Sequence, residues 1–263
     1  MPTRDGYDPG TPCWIDLMSP DVDASKAFYT GLFGWDGEDQ FDDEGRRIYT
    51  NFRLGDRDVA GLGGQTPEME GAPPVWSTYI ATSDVDETSQ KVEAAGGQVM
   101  MPALDVMDAG RMAIYSDPTG AVVSVWEAGE HTGAGICNEA RTWSWNELMT
   151  RDVDAAAAFY TDVFGWTYQD MEMPFGIYRV IQGGDFGGLG GLMPMPPGVP
   201  EMVPNHWSVF FMVDDADATI ARATELGGQT VQGPDDAPGV GRIATLHDPM
   251  GGSFMILQPV ASG

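Results

Sequence analysis

The sequence predicts an α+β protein made of two tandem copies of one domain, each copy assembled from two βαβββ units. Two observations predict it. The first is an internal repeat at a fixed offset of 131 residues: WIDLMSPDVDASKAFYTGLFGW (14–35) aligns with WNELMTRDVDAAAAFYTDVFGW (145–166), 14 of 22 residues being identical. The same offset pairs Trp76-Ser77 with Trp207-Ser208, Asp84 with Asp215, GGQ (96–98) with GGQ (227–229), and Asp117-Pro118 with Asp248-Pro249. A period this long is that of whole domains, not of a solenoid. The second is a fainter echo inside each half, where Asp-Val-Asp at 21–23 and again at 84–86 follows an extended apolar run and opens a helical pattern. Residues 8–130 and 139–263 are the expected domains, with 131–138 as the link.

In chain order, residues 14–18 read as a strand, and Asp21 as the N-cap of a helix whose Phe28 and Leu32 lie four apart on one face before Gly34 ends it. Strands follow at 47–54 and 58–63, the second running into a Gly-rich segment. A strand at 75–82 leads to a helix from 85, with Val85, Thr88, Val92 and Ala95 on one stripe and Gly96-Gly97 as the stop. Strands near 98–101, 111–116 and 121–126 complete the half. GLGG (61–64) and GGLGG (187–191) precede no helix that could offer its N-terminus to phosphate, so they read as bulges or tight strand crossings.

The chain has 263 residues with 13 Lys+Arg against 40 Asp+Glu, a net charge of −27 that repels nucleic acid and anionic membrane surfaces. No stretch approaches the roughly 20 apolar residues of a membrane helix. Cys13 and Cys137 occupy non-equivalent places and no basic-then-apolar leader is seen, so a reducing cytoplasm is expected. The expected partner is a small molecule, with neither nucleic acid nor membrane, and the expected state is monomer or homodimer.

Four βαβββ units, with FYxxxFGW after the first strand of each half and GR-x5-DPxG before the last, resemble the vicinal oxygen chelate superfamily. That superfamily includes glyoxalase I, bleomycin- and fosfomycin-resistance proteins and extradiol dioxygenases, and the doubled form resembles the two-domain glyoxalase-like proteins of actinobacteria. The resemblance implies that two units close an eight-stranded cup, giving two cups and two candidate sites. In the superfamily's enzymes it also implies a divalent ion held by His or Glu on the first strand of each unit and by Glu on the final strand. The matching positions here hold Trp14 and Trp145, then Ser77 and Ser208 (or, two residues earlier, Val75 and His206), then Ser124 and Met255. Indole and thioether are not ligands for such an ion. The expectation is therefore no metal and no cofactor, with a displaced set of His206, His247 and Glu147 as the alternative to these histidines being ordinary hydrogen-bonded or exposed residues.

Strand alternation places Trp14, Asp16 and Met18 on the cup side in the first half, and Trp145, Glu147 and Met149 in the second. Tyr79, Trp126, Phe210, Met212 and Leu257 follow in phase. The cup floors are then apolar, with one carboxylate each. Burial raises a carboxyl pKa toward the range useful for proton transfer, so Asp16 and Glu147 are candidate general bases; the alternative is contact with water or an arginine. The candidate ligand-binding residues are Trp14, Tyr79, Trp126, Trp145, Met149, His206, Ser208, Phe210 and Met255, with Phe175 and Tyr178 from the segment MEMPFGIYRVI (171–181). Met171, Met173, Met193, Met195 and Met202 are expected in loops that either lid the second cup, which is the favoured site if only one works, or fill the gap between the two cups. Arg111 and Arg242 either grip an anion or pair with surface acids. The expected function is metal-independent binding of a small apolar or aromatic molecule (an antibiotic, secondary metabolite or signalling compound) for resistance or sequestration. The alternatives are an isomerase, cyclase or lyase using a pocket carboxylate, and a glyoxalase- or dioxygenase-type enzyme with a displaced metal.

Overall fold

The structure, a computed structural model, describes residues 3–69, 71–184 and 188–260. Four units are present. The first is β1 (Pro12–Ser19), α1 (Val22–Phe33), β2 (Asp36–Phe41), β3 (Arg47–Leu54) and β4 (Arg57–Gly64); the second is β5 (Val75–Thr82), α2 (Val85–Ala94), β6 (Gln98–Val106), β7 (Gly110–Ser116) and β8 (Val122–Ala128). The third is β9 (Trp143–Thr150), α3 (Val153–Phe164), β10 (Tyr168–Met173), β11 (Gly176–Ile181) and β12 (Gly190–Pro194). The fourth is β13 (His206–Met212), α4 (Ala216–Glu225), β14 (Gln229–Ala237), β15 (Gly241–His247) and β16 (Ser253–Pro259). Each helix starts the same way: the side chains of Asp21, Asp84, Asp152 and Asp215 accept from the backbone N–H three residues on. Gly34 and Gly165 end α1 and α3 at φ 67° and 71°, a conformation a side chain disfavours.

Each half forms one eight-stranded mixed sheet, ordered β2-β3-β4-β1-β5-β8-β7-β6 and β10-β11-β12-β9-β13-β16-β15-β14. The sheet closes at its middle, where β1 runs antiparallel to β5 and β9 to β13. Two strands escape the sequence reading: β2 is polar and only partly buried, and β10 carries Tyr168, Met171 and Met173 on a mostly exposed strand, so neither shows a buried apolar face. Met171 and Met173 accordingly lie on β10 and Met193 on β12, not in loops; only Met195 and Met202 of that group are outside strands.

The halves meet through their helices, α1 against α4 and α2 against α3, and the repeated motifs build this seam. Tyr29 of FYxxxFGW donates to Asp248 of the other half at 3.0 Å, and Tyr160 to Asp117 at 3.1 Å. Trp76 and Trp207 donate to those same tyrosine hydroxyls, each at 2.9 Å. Trp35 and Trp166 reach the backbone carbonyls of Arg141 and Gly10 across the seam. Gly97 and Gly228 of the two GGQ segments leave room for Phe159 and Phe28, whose rings a Cβ would meet at 2.7 and 3.0 Å. Among the described residues no helix is long and apolar enough to cross a membrane.

Candidate functional site

A cavity of about 280 Å³ opens on the concave side of the first sheet. Its walls are Trp14 on β1, Tyr79 on β5, Trp126 on β8, Met112 on β7 and Tyr49 on β3, with Ile48 and Met107 at the exposed mouth. Asp16 lies among them, only 5% exposed. Strand alternation predicted Trp14, Asp16, Tyr79 and Trp126 here. Tyr49, Met112 and His131 also line the cavity and were not among the predicted residues.

Asp16 is held from one side. Its Oδ2 accepts from the hydroxyls of Tyr49 at 3.1 Å and Tyr79 at 3.0 Å, and Tyr49 in turn accepts from Trp14 Nε1 at 3.1 Å. The other oxygen, Oδ1, is buried without a hydrogen-bond partner, although Ser77 stands opposite on β5. Burial pushes the Asp16 carboxyl above its ordinary value, against the pull of the Tyr79 and Tyr49 hydroxyls. Tyr49 fits because Gly61 lies beside Asp16 in the ladder, where a Cβ would collide with the phenol. That is the role of GLGG: a gap in β4, not a phosphate loop.

His131, in the segment following β8, stands edge-on to Trp14 with ring centroids 4.4 Å apart. Trp126 Nε1 donates to its carbonyl at 2.8 Å, fixing the backbone. Nδ1 lies 4.0 Å from the Asp58 carboxylate, and Nε2 is buried without a partner. Burial lowers the pKa of this imidazole, with Asp58 opposing.

The second half repeats the scheme in reduced form. Ladder rows bring Trp145 beside Phe210, Phe210 beside Met255, Glu147 beside Ser208 and Met149 beside His206. Trp145 Nε1 donates to Tyr178 at 3.1 Å, and Tyr178 shields Glu147, whose carboxyl burial pushes to about 7. Gly191 makes room for Tyr178 as Gly61 does for Tyr49. Phe210 occupies the place of Tyr79 and Leu257 that of Trp126, so the carboxylate has one phenol instead of two. Phe175 sits in the β10–β11 turn, half-buried. The sequence reading favoured this cup, but the 280 Å³ cavity lies in the first.

The inherited metal positions do not fit an ion. Trp14 spends its N–H on Tyr49, and the one acid on β8, Glu127, faces the other way, accepting from the backbone N–H of Val85 at the start of α2. His206 is at the outer end of β13, its Nδ1 2.8 Å from the Pro204 carbonyl. His206, His247 and Glu147 are not brought together: among the described residues no three His, Cys, Asp or Glu side chains form a metal-binding group. Arg111 pairs with Asp86 and Asp105, and Arg242 with Asp217 and Asp236, so both are surface ion pairs.

Comparison with known proteins follows the same division. The family model of the Glyoxalase/Bleomycin resistance protein/Dioxygenase superfamily matches residues 13–125, and that of the Glyoxalase-like domain matches 146–257. The chain is 49% identical over 262 residues to the Mycobacterium tuberculosis protein named "Putative glyoxylase CFP32", covering 98% of each. It is 38% identical over 274 residues to the anthracycline biosynthesis protein DnrV of Streptomyces peucetius, again covering 98% of each. Among solved structures, the Mn(II)-bound glyoxalase of Novosphingobium aromaticivorans superposes with a TM-score of 0.64 at 18% identity, covering 96% of this chain and 84% of that one. The 2,3-dioxygenase LapB of Pseudomonas sp. KL28 gives 0.66 at 12% identity, covering 94% and 91%. At these identities the structural likeness is one of fold.

Proposed function

Since this chain belongs to the Glyoxalase/Bleomycin resistance protein/Dioxygenase superfamily, we propose that its first cup binds a small, flat, largely aromatic molecule without the help of a metal ion. The observation that carries this reading is the cavity itself, an apolar slot of about 280 Å³ with a single buried carboxyl in its wall. That volume sits just below the roughly 300–1,000 Å³ typical of ligand sites, and apolar walls with few convergent polar groups are their usual make-up. Trp14 and Trp126 offer ring faces and edges to a planar guest, and Asp16 offers one polar anchor. The names of DnrV and of its counterpart DauV in Streptomyces sp., both anthracycline biosynthesis proteins, support a keto- and hydroxyl-bearing aromatic secondary metabolite as the class of ligand. Sequestration in the cytoplasm is the role in keeping with such a site.

Two tryptophans in the wall make intrinsic fluorescence a direct probe. Titration with 2-naphthol, 2-tetralone and 1-hydroxyanthraquinone is expected to give saturable quenching, one ligand per chain, unchanged by EDTA. Quenching that needs added Mn²⁺ or Zn²⁺, or none with any of the three, overturns the reading.

A further inference from the structure

At the outer end of the second cup, one row of the sheet carries two thioethers and an imidazole on three adjacent strands. Met149 of β9 stands between Met193 of β12 and His206 of β13, paired with each in the ladder. Neighbouring strands lie about 4.8 Å apart and paired residues project to one face. Met149 is two residues along β9 from Glu147, so that face is the cup side, and all three side chains are half-buried. The first half shows how such a row lies. Its members are Gly63, Met18 and Val75, and the Met18 sulfur is folded over β4, 2.9 Å from where a Cβ on Gly63 would stand. In the second half that glycine is Met193 and that valine is His206, so a lone thioether has become a Met-Met-His set.

We propose that Met149, Met193 and His206 form a three-coordinate site for Cu(I) at the rim of the second cup. Thioether sulfur is a soft donor, ill-suited to the hard divalent ions of the inherited site and well suited to Cu(I). The imidazole is already in the form a metal needs. Its Nδ1 lies 2.8 Å from the Pro204 carbonyl oxygen, which can only accept. Nδ1 therefore carries the proton, and Nε2 of the neutral ring presents its lone pair, the usual arrangement of a metal-ligating histidine. Arg151 spends its guanidinium hydrogens on the carbonyls of Pro200 and Val203, at 3.0 and 2.8 Å, and so ties the segment that leads into His206 to the end of β9. Of the three ligands only His206 stands at an inherited position. Met149 is four residues further along β9 than Trp145, and Met193 comes from β12, a strand that supplies no ligand to the inherited set. All three donors are neutral, so binding releases no ligand proton and nothing is oxidised or reduced. The net charge of −27 draws a cation toward the chain.

The test is an anaerobic titration of the full chain with Cu(I) in competition with bicinchoninate, alongside NMR of protein carrying methyl-13C methionine. The expected result is one Cu(I) per chain and movement of two of the 16 methionine methyl signals, those missing from the spectra of M149L and M193L. M149L, M193L and H206Q should each weaken Cu(I) affinity tenfold or more. Exchange of Met for Leu nearly conserves volume, so the thermal midpoints of the first two should stay close to that of the parent. M100L alters an exposed methionine on β6 of the other half and should bind as the parent does. The buried thiols of Cys13 and Cys137 are the rival ligands: Cu(I) binding that leaves the Met149 and Met193 signals in place assigns the ion to them and overturns the proposal. Absence of binding overturns it as well, as does an equal movement of the same signals by Zn²⁺. None of these outcomes bears on the first cup.

Discussion

Asp16 and Glu147 occupy equivalent places yet keep different company. Asp16 is shared by two phenols and faces a cavity, whereas Glu147 is buried with Tyr178 alone. The difference has a measurable consequence for stability. Glu147 ionises near 4.5 in an unfolded chain and near 7 in the fold, so between those values the folded state holds more protons. Stability is thus fully present below pH 4.5 and is lost as pH rises through 7, by an amount on the order of 3 kcal/mol. The Glu147→Gln variant should lack this portion of the decline: urea denaturation at pH 5 and pH 8 should show a smaller difference in midpoint than the parent does. An equal difference in both proteins rejects a buried, proton-bearing Glu147. Both acids were legible in the sequence because strand alternation is rigid, and Trp14 and Trp145 fixed the phase. His131 was not legible, since it follows the last strand of its half and reaches the cup by a turn that no periodicity describes. Tyr49 had a signal that was available and unread, a glycine inside a strand beside a carboxylate.

At the scale of single elements, β4 and β12 work by omission. Gly61 and Gly191 admit a phenol to the space above the strand, and with it the hydrogen bonds that set the state of the neighbouring acid. Gly61→Ala should displace the Tyr49 ring, cost about 1–3 kcal/mol as overpacked cores do, and weaken binding in the first cup by tenfold or more. Gly63→Ala meets the Met18 sulfur at 2.9 Å and methyl carbon at 3.2 Å, the flexible end of a side chain, and reaches the Tyr49 ring only at an ordinary 3.7 Å, and should leave binding within about twofold. Equal effects of the two changes in a fluorescence titration would remove the special role of Gly61. The helices and the apolar strands could be read from capping aspartates and alternation. The edge strands β2 and β10 could not, because an exposed edge strand is specified by its neighbour's unpaired backbone and not by its own side chains.

For the whole molecule, most of the residues that repeat clearly lie at the seam, with Trp14 and Trp145 as the exceptions in the cups. Phe28, Tyr29, Trp35, Gly97 and Asp117, with Phe159, Tyr160, Trp166, Gly228 and Asp248, hold half to half. This explains how a sequence can announce its fold loudly and its chemistry faintly. Tyr29→Phe removes the donor to Asp248 and the acceptor for Trp76 together, and should cost about 2–4 kcal/mol in urea unfolding, since each buried partner left unsatisfied costs roughly 1–3 kcal/mol. Tyr160→Phe should match it through Asp117 and Trp207. A loss below 0.5 kcal/mol in both, within the scatter of ordinary surface changes, would show that the crossed pairs are incidental. Residues 1–138 or 139–263 made alone should expose the apolar faces of their helices and show no sharp thermal transition by circular dichroism. The seam has one more implication. Because Tyr29 meets Asp248 as Tyr160 meets Asp117, its contacts obey an approximate twofold axis, the geometry by which two identical half-length polypeptides would pair. The connecting segment replaces that encounter between separate molecules with a tethered one, whose effective concentration is high regardless of expression level. Fusion also releases the constraint that both subunits change together. One cup can be emptied or refitted while the other keeps its contents, and the unequal carboxylates of this chain are what that freedom permits.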